Sequence, residues 1–144
     1  MGLWTNAPKY LVIAILAGGA GLWAWRTLGP DESQQTAQAF VIPDLSAQAM
    51  DGKQAFDAVC AACHGENALG TDKGPPLIHD IYNPGHHSDE AFFAAAKLGV
   101  RQHHWPYGNM PPQPGVSQAQ VAAIVQYVRE LQAANGIVSR PHTM

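Results

Sequence analysis

Cys60 and Cys63 are the only cysteines in the 144-residue chain, and they stand with a histidine as Cys60-Ala61-Ala62-Cys63-His64. Thiols this close in sequence cannot staple a domain. A structural zinc site would need two further soft ligands from a matching knuckle, and no other cysteine exists. A dithiol redox centre would need a strand–helix–strand setting, which the flanking sequence does not offer. The chemistry left is addition of both thiols to the vinyl groups of a haem, with the adjacent histidine placed to bind the iron. The spacing therefore predicts one covalently attached haem c, held by Cys60 and Cys63 and ligated by His64.

Three helical stretches have to position that motif. The first runs from about Ala47 to Cys60 and carries Ala55, Phe56 and Val59 on one apolar face. The second begins after Ser88 as N-cap, with Asp89 and Glu90 where the helix dipole favours acids. Ala91, Phe92, Ala95 and Leu98 share one of its faces, and Gly99 stops it. The third begins at Ser117, with Gln120 completing a capping box. Val121, Ile124, Val125, Val128 and Leu131 form its buried stripe, and Asn135-Gly136 closes it. No segment shows strand-like alternation of any length. Residues 65–87 and 100–116 are rich in Gly, Pro and His and read as loop. So much loop in a small domain needs an apolar body to pack on, and a haem disc supplies one. The expected fold class is all-α, a few helices wrapped around the haem.

The stretch from about Met50 to Gly136 resembles the class I monohaem c-type cytochromes of bacteria. Four features carry the resemblance: the Cys60–His64 motif; Gly52 and Phe56 ahead of it; Gly74-Pro75-Pro76-Leu77 after it; and Asn109-Met110-Pro111-Pro112 before the last helix. The resemblance implies a small cytochrome c fold in which Gly52 and Phe56 on the first helix cross Ile124 and Tyr127 on the last. It implies that the Pro75 carbonyl accepts the Nδ1 proton of His64, turning Nε2 towards the iron. It implies that Leu77 packs on the proximal haem face and that Met110 is the sixth iron ligand. The implied cofactor-binding set is Cys60, Cys63, His64, Pro75, Leu77 and Met110, with His64 and Met110 on the metal. Iron with both axial positions filled does not readily bind oxygen or a substrate, so an electron carrier is expected rather than an enzyme.

Loop histidines complicate the ligand set. His103 and His104, in Arg101-Gln102-His103-His104-Trp105, precede Met110 closely, and either could replace it to give bis-His iron of lower potential. A hydrogen bond to a haem propionate, a role open also to Arg101 and Trp105, or a solvated surface position ranks ahead of iron ligation. His79, His86 and His87 raise the histidine density of the loops further. Imidazole suits copper and related ions, but no carboxylate or thiol accompanies these residues at a recognisable spacing. A second metal site, such as copper, is therefore open on ligand type but has no spacing to argue for it.

Ahead of the domain, Tyr10 to Trp25 is an uncharged apolar run. A spanning helix needs roughly 20 apolar residues, and the charges of Lys9 and Arg26 can snorkel to lengthen this one. Trp4, Trp23 and Trp25 suit the membrane boundaries, Pro8 a helix start and Gly29-Pro30 a stop. A cleaved secretory signal ending at Gly18-Gly19-Ala20 competes, but the chain stays apolar and aromatic beyond Ala20. The expected organisation is an N-terminal transmembrane helix in 1–29, a polar linker in 30–46, the haem domain in 47–136 and a short tail in 137–144. The expected place is the bacterial inner membrane, single-pass, with the haem domain on the periplasmic side. Beyond residue 29, Lys53, Lys73, Lys97, Arg101, Arg129 and Arg140 face eleven acids, a balance of 6 − 11 = −5, which argues against nucleic acid as a partner. The expected function is electron transfer in a respiratory or photosynthetic chain, from a quinol-oxidising complex or dehydrogenase to an oxidase or reductase. A permanent haem subunit of a membrane-associated oxidoreductase complex is the alternative. A haem peroxidase or gas sensor, which needs an open axial position, comes third.

Overall fold

The computed structural model describes residues 7–28 and 39–141. Trp4, Gly29-Pro30, the first part of the linker and residues 142–144 lie outside the described residues, as do the side chains of Pro8, Lys9, Trp25 and Arg26. The chain forms two units, Met1–Gln38 and Ala39–Met144. The first holds helix α1, Ala7–Leu28, 22 residues long. At 1.5 Å per residue it extends about 33 Å. Its Tyr10, Leu11, Ile13, Ile15, Leu16, Leu22 and Trp23 side chains are all exposed. Among the described residues, no helix is long and apolar enough to cross a membrane.

The second unit is helical, as expected, with α2 (Ala47–Val59), α3 (Ala61–His64), α4 (Asp89–Leu98) and α5 (Gln118–Ala134). Single 3-10 turns at Glu66–Ala68 and Asp80–Tyr82 shape the loops. The described residues contain no strand, only an antiparallel bridge between Val100 and Met110. Sequence chemistry sets the helix ends. Ser117 Oγ accepts from the Gln120 N–H, and the Gln120 side chain reciprocates at the Ser117 backbone, so both halves of the capping box are made. Ser46 caps α2 by accepting from the Ala49 N–H at 3.2 Å. Ser88 stands at the cap position of α4, but its side chain makes no capping hydrogen bond.

The core forms where α2 crosses α5. Gly52 makes the crossing close, because a Cβ on it would overlap the Ala123 carbonyl of α5. One turn on, Phe56 meets Tyr127 edge to face, with ring centroids 5.6 Å apart, and both side chains are fully buried. Ala49, Ala68, Leu77, Ile124, Val128 and Leu131 complete this cluster. Each large apolar side chain buried there contributes roughly 1.5–3 kcal/mol. Burial, with Asp57 and Glu66 adding to it, pushes the Tyr127 phenol up to about 12.

Polar residues of α5 fasten the rest of the domain. The buried Gln132 amide donates to the carbonyls of Leu77 at 2.8 Å and Tyr82 at 3.0 Å. Arg129 bonds Asp89 and the carbonyls of Tyr82 and His87, and its guanidinium lies over the Phe92 ring. The stretch entering the domain is also bound. Asn135 exchanges hydrogen bonds with both backbone groups of Val41, and Glu130 accepts from the Ser46 N–H and hydroxyl.

Candidate haem site

Helix α2 ends at Val59, and Cys60 turns the chain into the single turn of α3. Gly65 stops α3 at φ 75°, a left-handed conformation that favours glycine. The following loop then folds back on the motif. Gly70 N–H donates to the His64 carbonyl at 2.6 Å, and the Thr71 hydroxyl donates to the Cys63 carbonyl at 2.6 Å. Gly74 packs so closely that a Cβ would lie 2.9 Å from the Cys63 oxygen. The loop closes where the Leu77 N–H donates to the Ala68 carbonyl at 2.8 Å.

This fold-back delivers the Pro75 carbonyl to His64 Nδ1 at 2.9 Å. Burial holds the His64 imidazole below its ordinary pKa range, and the hydrogen bond to Pro75 opposes that fall. A neutral ring that donates its Nδ1 proton to Pro75 keeps the Nε2 lone pair for a metal. Cys60 is half-buried and Cys63 exposed, and neither is in a disulfide. Before attachment, burial, then the neighbouring Cys63, pushes the Cys60 thiol up to about 11. Leu77 is buried with Phe56 and Tyr127 in the core cluster.

Met110 is half-buried, and its backbone is fixed on both sides. It exchanges two hydrogen bonds of 3.0 Å with Val100. Gly99, at φ 75°, lets α4 end against the Met110 carbonyl, where a Cβ would collide with it. After Pro111-Pro112, the Gln113 N–H donates to the Ala96 carbonyl of α4 at 2.7 Å. Residues 101–109 are therefore a loop closed at its base by the residue that carries the thioether. His103 and His104, the rival ligands, stand on this loop beside His86 and His87. His79 caps the Asp80–Tyr82 turn by accepting from the Ile81 N–H and packs edge-on against Trp105 at 5.1 Å.

Two further observations bear on a haem. None of the ten residues of α4 is buried, and Leu98, expected on its apolar face, is 71% exposed. Phe92 of that face packs on the core and under Arg129, but the polypeptide leaves the Leu98 end uncovered, and an apolar disc would cover it. Trp105 Nε1 is buried with no acceptor. The Tyr82 phenol is near enough to feel the indole but does not reach hydrogen-bond geometry. A carboxylate would satisfy such a donor, and haem carries two. The residues present thus fit the group. The sequence alone assigns no structural role to Gln132 or Arg129, whose one signal is a polar residue flanking the apolar stripe of α5.

The arrangement is that of a helical domain built to hold a haem by thioether bonds and an oriented histidine. Residues 49–132 match the family model for cytochrome c, and the chain belongs to that family. Its cofactor is covalent haem c, and Cys60 and Cys63 have the spacing of a C-x-x-C-H haem-binding motif. The cytochrome bc1 complex cytochrome c subunit of Corynebacterium efficiens is 31% identical over 129 residues, which cover 88% of this chain and 38% of that protein. The subunit of the same name from Corynebacterium diphtheriae is 35% identical over 74 residues, covering 51% and 25%. The cbb3-type cytochrome c oxidase subunit CcoP of Rhodobacter capsulatus is 30% identical over 93 residues, covering 62% and 31%. The chain thus spans well under half the length of these relatives. No solved structure gives a match of comparable significance.

Proposed function

We propose that this chain is a one-electron carrier of a bacterial respiratory chain, working as a membrane-held haem subunit with His64 and Met110 on the iron. The observation that carries the reading is the pairing of a histidine oriented by the Pro75 carbonyl with a methionine whose backbone is clasped by Val100. When bound, the haem supplies the one-electron couple. The chain's part would be to hold His64 and Met110 still: the Pro75 carbonyl accepts from His64 and so keeps the proton on Nδ1, and the Val100 bridge and Gly99 contact fix the methionine arm. Trp105 Nε1 offers a donor for a propionate. Relatives named as subunits of bc1 and cbb3 complexes favour a place within or beside such a complex over a freely roaming shuttle. The donor is then a quinol-oxidising complex or dehydrogenase, and the acceptor an oxidase or reductase. In respiring membranes, added quinol is expected to reduce the haem and oxygen to reoxidise it. A haem indifferent to both would overturn the reading.

Acid-acetone extraction followed by intact-mass measurement is expected to leave the chain heavier by one haem. The Cys60→Ser/Cys63→Ser double variant is expected to release all its haem into the organic phase. Extraction of haem from the unaltered chain would contradict thioether attachment.

Helix α1 serves in this reading as a retained single-pass anchor, with the haem domain on the periplasmic side of the inner membrane. The exposed Tyr10, Leu11, Ile13, Ile15, Leu16, Leu22 and Trp23 side chains support this. Over its described residues alone α1 falls short of a spanning helix, and the reading takes in the flanking sequence from Trp4 to Gly29. The protein is expected in the membrane fraction, released by detergent and not by high salt, with an intact mass that includes residues before Ala20. A soluble periplasmic chain starting near Gly21 would show a cleaved signal instead.

A further inference from the structure

His86, His87 and His104 bring one ring nitrogen each to a common point, all within 4.8 Å of one another. The sequence conceals this, because the first two lie in the turn before α4 and the third on the loop closed by Val100 and Met110. His86 Nε2 and His104 Nε2 are 3.2 Å apart. Two metal–nitrogen bonds of about 2.0–2.1 Å at a tetrahedral angle put their nitrogens roughly 3.3 Å apart, so this pair already stands at chelating distance. His87 Nδ1 donates to the Ile81 carbonyl at 2.7 Å, which leaves its Nε2 as the lone-pair nitrogen. That outer hydrogen bond is the one metal-binding imidazoles characteristically make.

The turn carrying two of the rings is rigidly built. The N–H groups of His86 and His87 both donate to the Asn83 carbonyl, at 3.0 and 2.9 Å. Asn83 Oδ1 accepts from Gly85, and Arg129 holds the His87 carbonyl. His103 stacks on the His87 ring with centroids 6.0 Å apart, while its own Nδ1 donates to the Arg101 carbonyl. A hydrogen bond between His86 and His104 explains one contact, but not the approach of a third ring whose tautomer is already set.

We infer that His86, His87 and His104 bind a divalent transition-metal ion of the zinc type, with a water as fourth ligand. The exposure of His104 leaves room for that water. Three imidazoles around one point suit tetrahedral zinc, whereas copper(II) prefers a tetragonal arrangement. Magnesium and calcium require oxygen ligands, which the cluster lacks. The bound ion fastens the loop leading to Met110 onto the turn before α4.

The test is calorimetric titration of the tag-free holoprotein with zinc chloride. One zinc per chain is expected, at micromolar affinity or tighter. The thermal midpoint should rise by several degrees at about 100-fold excess over Kd. His86→Ala and His104→Ala are each expected to weaken binding roughly tenfold or more, while the haem absorption reports that the variants remain folded. Zinc-edge X-ray absorption of the unaltered protein should show three imidazole nitrogens at about 2.0–2.1 Å, a readout that needs no variant. Failure to bind zinc at millimolar concentration, an all-oxygen coordination shell, or affinity unchanged in both variants would overturn the site. Tight binding of copper(II) with zinc refused would overturn the tetrahedral assignment.

Discussion

Gly52→Ala is expected to destabilise the haem domain by about 3 kcal/mol or more. Added methyl groups in well-packed cores cost roughly 1–3 kcal/mol when neighbouring side chains can adjust. Here the added carbon meets the Ala123 carbonyl and the Ile124 nitrogen, all backbone of α5. Neither helix can yield locally without breaking its own hydrogen bonds, so α2 and α5 have to separate. Separation loosens the Phe56–Tyr127 contact, which lies one turn further along the same crossing. A small domain has about 5–15 kcal/mol in total, so the loss is a large share of it. Gly115→Ala is the control, because nothing lies within 4 Å of a Cβ there. Its effect is expected within about 0.5 kcal/mol. Urea unfolding of the two holoproteins, followed by far-ultraviolet circular dichroism, makes the comparison. Equal midpoints would show that the helices do not approach as closely as described.

Met110→Ala is expected to abolish the weak charge-transfer band that a thioether–ferric haem bond gives at the red edge of the visible spectrum. The reduction potential is expected to fall by roughly a hundred millivolts or more, inside the ~0.8 V range over which axial ligands tune haem. His103→Ala and His104→Ala are expected to keep the band and to move the potential only slightly. The contrast arises from the backbone. Met110 is held by two bonds to Val100 and pressed by Gly99, whereas His103 and His104 are exposed and gathered with His86 and His87. If Met110→Ala keeps the native spectrum and a histidine substitution destroys it, the iron is bis-His. The donor and acceptor must then be sought among lower-potential proteins.

Local chemistry was readable from the sequence wherever it is written in adjacent residues. Ser117 and Gln120 make their box and Gly99 stops α4 in the left-handed region, while Ser88 stands at its cap position without a side-chain bond. The close crossing at Gly52 was legible only through the family resemblance. Long-range polar contacts were not readable. Periodicity marks the apolar stripe of α5 but cannot tell which flanking polar residue turns inward, so Gln132 and Arg129 look like surface positions. The Val100–Met110 bridge is too short to produce alternation. Residues 39–46 have the composition of a linker, yet Asn135 and Glu130 bind Val41 and Ser46 from far along the chain. The histidine cluster was invisible for the same reason, since its members come from two separate loops. Leu98 continues the apolar spacing of α4 and yet points outward, because spacing shows a face but not what covers it.

The crossing of α2 with α5 also governs the order of events during folding. Helix α2 starts at Ala47 and α5 at Gln118, so the contact that seals the core joins segments made far apart in time. Contacts of such sequence separation form slowly, since closing the intervening loop costs entropy before any packing repays it. A chain emerging N-terminus first presents Cys60, Cys63 and His64 before α5 exists to hold Phe56 in place. Cys60, half-buried in the finished domain, is then without the helix that closes the core behind it. Only when α5 is complete can Phe56 find Tyr127 and the core close.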